Sequence, residues 1–366
     1  MLRILFAIIV ILHALIHLMG FLKAFHLAEI EQLKLPISKT AGIFWLLACL
    51  LLLAAAVLYL SKQSIWWLPG LAGMIISQVL IIMYWQDAKF GTIANVIILM
   101  VGLVGFGYWN FRQKSEVMVK DLMANAETDS KILQKEDISH LPPVVQKWLQ
   151  QSKVVGKERA KSVYLEQSGK MRTKPDAQWW DFTARQWFTP DQPAFVWLAE
   201  VDIAPGVHLS GRDRYMDGRG HMLIRLLSLF PVVDASGPET DQGTLLRFLA
   251  ETVWFPSAAV NPFIRWEQID SVSAKATMTY GNVSADGIFT FDREGFVKSF
   301  EAKRYYDRKE GATLETWYIE NVPGNIREFE SRMIPTVSNV TWKLESGDYH
   351  WLKLKVEMIS YNALRP

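Results

Sequence analysis

The stretch FGTIANVIILMVGLVGFGYWNFRQKSEVMVK, residues 90–120, contains the point at which an uncharged, apolar sequence is followed by a charged one. Its first 22 residues carry no charge, and as a helix they are long enough to cross the roughly 30 Å hydrocarbon core of a bilayer. Four charged side chains follow within the next nine residues. We therefore expect a membrane part up to residue 111 and a water-soluble part after it.

Three earlier runs of the same kind lie at residues 4–22, 41–60 and 65–85, and none contains Asp, Glu, Lys or Arg. Such runs must be helical, because unpaired backbone amides are costly in hydrocarbon. Tryptophans and tyrosines lie near several of their ends, as an aromatic belt requires. The first run also lacks a small-residue cleavage site before Lys23, which argues against a signal peptide. The pattern predicts a four-helix transmembrane bundle over residues 1–111.

Four spans place the amino terminus and the carboxy-terminal domain on the same side of the membrane. Five basic residues near the span ends on that side compare with four on the other, which narrowly favours a cytoplasmic domain. The sequence thus predicts a multi-pass integral protein of a prokaryotic plasma membrane, with the soluble domain in the cytoplasm.

The charge balance and the cysteine count exclude several classes. Only six of the 39 basic and three of the 37 acidic residues lie in the first 111 positions, so the remainder has an ordinary soluble composition. A formal net charge of +2 argues against a general nucleic-acid binder. Cys49 is the single cysteine, which excludes internal disulfides and cysteine-built metal centres. We predict no metal and no cofactor.

Polar side chains inside the predicted spans form a candidate cluster of His13, His17, Gln78 and Asn95. His13 and His17 are spaced i, i+4 and so share one helical face. Counting helical rise places His17, Gln78 and Asn95 in the half of the bilayer distant from the soluble domain. Three interpretations stay open: a hydrogen-bonded packing cluster, a haem or metal site on the two histidines, and a proton or ion path.

Residues 112–140 form a predicted linker with a helix at 116–134, and a second short helix is expected after it at 144–149. From residue 163 the period changes to two, as in VSAKATMTY at 272–280 and LKLKVEM at 352–358. Ten to twelve antiparallel strands result, too many to lie flat. We expect residues 141–366 to form an α+β, mainly antiparallel-β domain, built as a curved sheet or a partly open barrel.

One amphipathic helix is expected in this domain, at residues 240–254, with Thr240 or Asp241 as its N-cap and Pro256 ending it. Its apolar arc should pack on the concave sheet like a lid. The apolar arc comprises Leu245, Leu246, Phe248, Leu249 and Val253, and the opposite arc comprises Arg247, Ala250, Glu251 and Trp254.

Four segments carry a resemblance to a known family: LHALIHLMGFLKAF at 12–25, GRDRYMDGRGHM at 211–222, FPVVDASGPETDQGTLLRFLAETVWFP at 230–256 and MIPTVSNVTWKLESGDYHWLKLKVEMISY at 333–361. The chain resembles an uncharacterised prokaryotic membrane-protein family, known only as a domain of unknown function. The resemblance covers most of residues 141–361 and implies no activity. In pattern, without matching motifs, the soluble domain is also similar to lipoprotein carriers, whose curved sheet and helix hold acyl chains.

Arg247 and Glu251 are spaced i, i+4 and can pair on the helix. An exposed pair would contribute under about 1 kcal/mol, and this bland interpretation stays open. Trp254 lies on the same arc, and a large aromatic side chain requires cover. This face is therefore a candidate to dock another strand, the membrane domain or a ligand.

Asp213 and Arg214 lie on a predicted strand beside Arg212, with His208 and His221 nearby. On a strand the two arginines share a face with His208, and Asp213 points away. A carboxylate with a histidine can serve acid–base chemistry, whereas a solvated strand face explains the group without a function. Other arginines could bind an anionic head group or simply lie on the surface, namely Arg185, Arg304, Arg327 and Arg332.

Familiar catalytic signatures such as HExxH, GxSxG and GxxxxGK are missing, which disfavours an enzyme. Ten of the 15 tryptophans lie after residue 111, and aromatic side chains commonly line apolar pockets. The leading hypothesis is a membrane-anchored binding protein for a lipid-like or other apolar ligand, with membrane lipid as its surroundings. The alternatives are an enzyme acting on a lipid or envelope substrate through Glu251, and a sensor or assembly subunit whose protein partner the sequence does not indicate.

Overall fold

The structure, a computed structural model, describes residues 2–126, 129 and 131–363. The chain forms two compact units. The first comprises Met1–Gln113 and Leu227–Leu229, and the second comprises Lys114–Leu226 and Phe230–Pro366. The predicted domain boundaries at residues 111 and 140 remain predictions.

The first unit is helical: α1 Leu2–Ala24, α2 Lys39–Leu60, α3 Trp67–Met83, α4 Trp85–Ala88 and the start of α5 Gly91–Ala124. Ser38 caps α2, since its hydroxyl accepts from the Ala41 amide at 3.2 Å. Within the described residues, α1, α2 and α5 are long and apolar enough to cross a membrane. The run predicted at 65–85 contains α3, an apolar helix of 17 residues, so the count of four spans remains a prediction.

The linker contains shorter helices than the sequence predicts. The helix predicted at 116–134 is the end of α5, which stops at Ala124, and residues 127, 128 and 130 of that stretch lie outside the described residues. Two short helices follow, α6 Lys135–Ile138 and α7 Pro143–Gln151. Proline suits the first turn of α7, because its missing amide hydrogen has no partner there anyway.

The second unit is mainly antiparallel sheet, as the period-two segments predict. Its strands are β1 Val163–Met171, β2 Trp180–Thr189, β3 Ala194–Ala204, β4 Val207–Met216, β5 Arg219–Leu226, β6 Phe230–Ser236, β7 Ile264–Gln268, β8 Ser273–Tyr280, β9 Val283–Phe291, β10 Val297–Tyr306, β11 Thr313–Asn321, β12 Ile326–Phe329, β13 Arg332–Pro335, β14 Val337–Leu344 and β15 Gly347–Tyr361. These are more strands than the ten to twelve predicted, in part because short or proline-containing strands such as β6, β12 and β13 alternate weakly.

Thirteen of the described strands form one sheet, in the order β6-β5-β4-β3-β2-β1-β15-β14-β11-β10-β9-β8-β7, while β12 and β13 pair separately. The first strand therefore lies beside the last, with Val163 opposite Tyr361, and β6 and β7 are the edges. A helix, α8 Pro238–Glu251, connects towards β7 through the 3-10 turns Thr252–Trp254 and Pro256–Val260. Because α8 contacts strands near both edges, the sheet curls around it into a half-barrel.

The predicted helix over residues 240–254 is present with different ends. It begins earlier, because Gly237 adopts a φ of +116° that turns the chain, and Pro238 then occupies the first helical turn. Both predicted arcs are buried, including Phe248 on one side and Ala250 on the other. The helix is thus enclosed within the curl, where Phe248 packs against Phe255 and Phe188.

Candidate functional site

A cavity of about 490 Å³ lies within the second unit, between the concave face of the sheet and α8. Its wall is mostly apolar, and its volume falls within the roughly 300–1,000 Å³ typical of small-molecule sites. Six of the ten tryptophans that follow residue 111 contribute to it: Trp180, Trp197, Trp254, Trp317, Trp342 and Trp351.

Strand alternation explains how these side chains converge. On the neighbouring strands β11 and β14, Trp317 lies directly opposite Trp342, and Ile319 lies opposite Val340. Residues i and i+2 of a strand point to the same face, so all four side chains meet at the cavity wall. The period-two pattern that predicts the sheet therefore also supplies an aromatic interior.

The charged part of the wall is a buried triad of Asp213, Arg247 and Glu251. Arg247 lies on α8 and donates from Nη1 to Asp213 Oδ2 at 2.7 Å and from Nε to Glu251 Oε1 at 2.8 Å. The side chains are 3%, 13% and 9% exposed for Asp213, Arg247 and Glu251 respectively. The i, i+4 pair predicted from the sequence forms, but it is buried and not on a solvated helix face.

A closed circuit of contacts links Glu251 back to Arg247 through Gln186, Gln167 and Trp197. Gln186 donates to the second Glu251 oxygen at 2.8 Å, Gln167 donates to Gln186 at 3.3 Å, and the Trp197 indole donates to Gln167 at 2.9 Å. The ring of Trp197 in turn covers the Arg247 guanidinium at 4.8 Å. Both Glu251 oxygens therefore accept hydrogen bonds from fixed donors, which holds this carboxylate in one orientation.

Burial and charge shift the pKa values of this cluster in ways that follow from its composition. Burial raises the pKa of Glu251, although Arg247 and Gln186 oppose the shift. Burial works against a charged Arg247, yet its two carboxylate partners outweigh this effect and raise its pKa. Both pKa values rise, which favours the charged guanidinium but the neutral carboxyl group of Glu251. The guanidinium is attracted by two carboxylates, whereas Glu251 shares that cation with Asp213 and is repelled by it.

Sequence reasoning found some of these residues and missed others. Asp213, Arg247 and Glu251 come together, and Trp254 reaches the cavity wall. Arg214 is not among the described residues that line the cavity, whereas the neighbouring Gly211, Arg212 and Asp213 are.

Of the two nearby histidines, His221 bonds to Asp234 at 2.8 Å and not to Asp213. Burial lowers the pKa of His208, although Glu200 and Asp202 oppose the shift. The glutamines of the circuit were missed, although Gln167 and Gln186 are polar residues at positions that the strand pattern assigns to the core. Among the described residues, no three His, Cys, Asp or Glu side chains are grouped so as to hold a metal ion.

The first unit contains the second predicted cluster. His13 Nε2 donates to Asn95 Oδ1 at 2.9 Å and lies 3.1 Å from Ser77 Oγ, while Asn95 Nδ2 donates to Gln78 Oε1 at 3.0 Å. His17 makes a different contact, since its Nδ1 donates to the His13 carbonyl at 2.8 Å. Three helices are thus joined by hydrogen bonds, with Ser77 as a member that the sequence analysis did not single out. The role of the cluster remains a prediction.

Residues 131–354 match a family of unknown function (DUF6544). The match spans more than half of the chain, so this protein belongs to that family, and the expected membership in a family known only as a domain of unknown function is confirmed. The segment at residues 12–25 lies outside the match. A search of curated proteins finds no match to the chain. The family brings no activity with it, so the function has to be inferred from the cavity and its wall.

Proposed function

We propose that this protein is a membrane-anchored binding protein for a lipid-like or other apolar ligand. The observation that carries the proposal is the cavity of about 490 Å³ with its tryptophan-rich, mainly apolar wall. Sites for small apolar ligands have this composition, with a few polar groups that fix orientation. The buried triad supplies such groups at one part of the wall.

Mass spectrometry of the purified full chain tests the proposal. The wild type should retain a stoichiometric apolar compound after detergent extraction. Gly211→Leu should lower the occupancy of this compound, because Gly211 lines the cavity. A Cβ at this position would lie 3.9 Å from its nearest neighbours, so the protein accepts the side chain and the ligand loses the space. Asp202→Leu is a matched control that adds the same side chain at an exposed position of β3. Equal occupancy in both variants, or no bound compound in the wild type, would contradict the proposal.

In the same proposal residues 1–111 form a four-span anchor in a prokaryotic plasma membrane, with α3 as the third span. The 17 residues of α3 reach the lower end of the roughly 17–25 that can cross a bilayer. The amino terminus and the second unit then both lie in the cytoplasm.

Thiol labelling in intact cells tests this topology. A cysteine at Lys62 should be protected and one at Lys89 should be labelled, because α3 separates them. If α3 does not cross, both positions lie on one side and label alike.

A second candidate function is an enzyme that acts on a lipid or envelope substrate. Glu251 lines the cavity and burial raises its pKa, a combination that is common for catalytic carboxyl groups. Both of its oxygens already accept hydrogen bonds, which favours a structural role. Glu251→Gln decides between them. An enzyme would lose turnover of a bound lipid while its fold persists, whereas a binding protein would keep its bound compound.

A further inference from the structure

Four arginines contribute to the cavity wall, Arg172, Arg212, Arg247 and Arg304, and Arg304 lies on β10. Its guanidinium carbon lies 4.5 Å from the centre of the Trp317 ring and 5.9 Å from that of Trp342. On its other side it approaches α8 at Gly243, where a Cβ would lie 3.2 Å from Nε. Stacked guanidinium planes keep their N–H groups in the plane, available to a ligand.

In the part of the chain that the structure describes, no hydrogen-bond acceptor or ion-pair partner contacts Arg304. The neighbouring carboxylates, Asp213 and Glu251, are bound to Arg247 at 2.7 and 2.8 Å. Burial lowers the pKa of Arg304 to about 10, so the side chain is still charged at neutral pH. The buried part of this cation has lost its water, and an anion bound to the exposed part would offset that cost.

The indole nitrogens of Trp180, Trp254, Trp317 and Trp351 are buried without a hydrogen-bond acceptor among the described residues. They are enclosed within the wall, so they are not free donors facing the cavity. Arg304, by contrast, is only half-buried, and its guanidinium can offer N–H donors to a ligand that carries oxygen acceptors.

From this geometry we infer that the ligand is an amphiphile with one anionic head group, whose oxygens bind the Arg304 guanidinium while its apolar part lies along the tryptophan-lined wall. The inference rests on the proposed function and adds the chemistry of the ligand to it. A carboxylate or a phosphate monoester would satisfy a planar guanidinium through paired hydrogen bonds. The volume of about 490 Å³ lies in the lower half of the usual range, which favours a single acyl chain.

A competition experiment with three ligands of equal chain length tests the inference. The full chain in phosphatidylcholine nanodiscs is loaded with N-phenyl-1-naphthylamine, a neutral dye that fluoresces in apolar sites, with empty nanodiscs as the blank. Hexadecanoate, hexadecyl phosphate and hexadecanol are then compared as competitors. At least one of the two anions should displace the dye at a concentration about 10- to 100-fold lower than the alcohol, the factor expected for a charge-assisted hydrogen bond.

Variants assign the preference to Arg304. Arg304→Gln should bind the dye normally but reduce the anion-to-alcohol ratio to about threefold or less, and Arg304→Lys should retain part of it because the charge remains. Lys303→Gln, which removes a neighbouring exposed charge that donates to Thr316 at 3.0 Å, should leave the ratio unchanged.

The outcomes separate the two proposals. If neither the dye nor any competitor binds the wild type, the proposed function itself fails. If hexadecanol competes as well as both anions, the cavity binds apolar chains and the anionic head group is wrong. If the anion preference survives in Arg304→Gln, with the dye still bound, the assignment to Arg304 is wrong. Displacement by hexadecanoate alone identifies a carboxylate, and displacement by hexadecyl phosphate alone identifies a phosphate.

Discussion

Arg247→Met removes the guanidinium that binds both Asp213 and Glu251 and replaces it with an apolar side chain of similar length. The two carboxylates are only 3% and 9% exposed, so water cannot replace the lost cation. The contacts of Arg247 with the Phe195 ring, at 5.1 Å, and the Trp197 ring, at 4.8 Å, are lost as well. The variant therefore leaves two buried negative charges without their shared cation, although Glu251 keeps its hydrogen bond from Gln186.

Removing one member of a buried ion pair costs about 3–5 kcal/mol, whereas an exposed pair contributes about 0–1 kcal/mol. For a unit of this size each kcal/mol lowers the midpoint of thermal unfolding by about 2–4 °C, so we expect a fall of roughly 6–20 °C at neutral pH. The loss should be smaller at about pH 4.5, because the unpaired carboxylates can then take up protons.

Thermal unfolding of the full chain in detergent, followed by tryptophan fluorescence and circular dichroism, measures this loss. Arg265→Met is the control, since Arg265 and Glu267 pair at 2.7 Å with 76% and 52% of their side chains exposed, and it should unfold like the wild type. Adding Asp213→Leu and Glu251→Met to Arg247→Met should recover most of the loss, because none of the three positions of the triad then carries a charge. A loss below about 1 kcal/mol in the single variant would refute the reasoning, as it is the value of a hydrated pair.

Three further predictions concern other parts of the chain. The folded-state pKa of Glu251 is raised above its unfolded value of 4.5. The stability of the wild type relative to Glu251→Gln should therefore be highest below that pH and be lost as the pH rises through the folded pKa. Urea titrations in which the advantage of the wild type grows with pH would contradict this. Gly220→Ala would place a Cβ 2.6 Å from the Thr240 carbonyl oxygen of α8 and should lower stability by about 1–3 kcal/mol, whereas Gly211→Ala, with neighbours at 3.9 Å, should unfold like the wild type in the same thermal assay. Asn95→Leu should destabilise the helices of the first unit in lipid by about 0.6–1.7 kcal/mol for each interhelical bond lost, and an unchanged unfolding midpoint would show that the cluster contributes nothing to packing.

The sequence predicts the parts of the fold that local patterns control. Uncharged runs predict the helices of the first unit, and alternation predicts the strands of the second. The helix at 240–254 is found, but its start is not, because Pro238 and the positive φ of Gly237 act together in a way that capping preferences for Thr240 do not reveal. The order of the strands in the sheet could not be predicted from the sequence either, because the pairing of Val163 with Tyr361 joins residues at opposite ends of the domain.

In the candidate site, too, the sequence predicts local contacts but not contacts between distant segments. The i, i+4 spacing predicts that Arg247 and Glu251 pair, because that contact is local. The spacing does not predict that Asp213 also binds Arg247, because Asp213 lies 34 positions away and contacts it only when the sheet curls around α8. Nor does it reveal burial, since an arc with Arg247, Glu251 and Trp254 looks amphipathic until strands cover both sides of the helix.

The position of β1 beside β15 affects how the protein can be made. The two strands meet in the middle of the sheet order, so removing β15 would leave two separate meanders, β6 to β1 and β14 to β7. At about 5–20 residues per second, the ribosome needs roughly 10–40 s to synthesise the approximately 200 residues between Val163 and Tyr361. Throughout that interval the nascent β1 lacks its final neighbour and exposes an unpaired edge, which makes the growing chain a natural client for a chaperone.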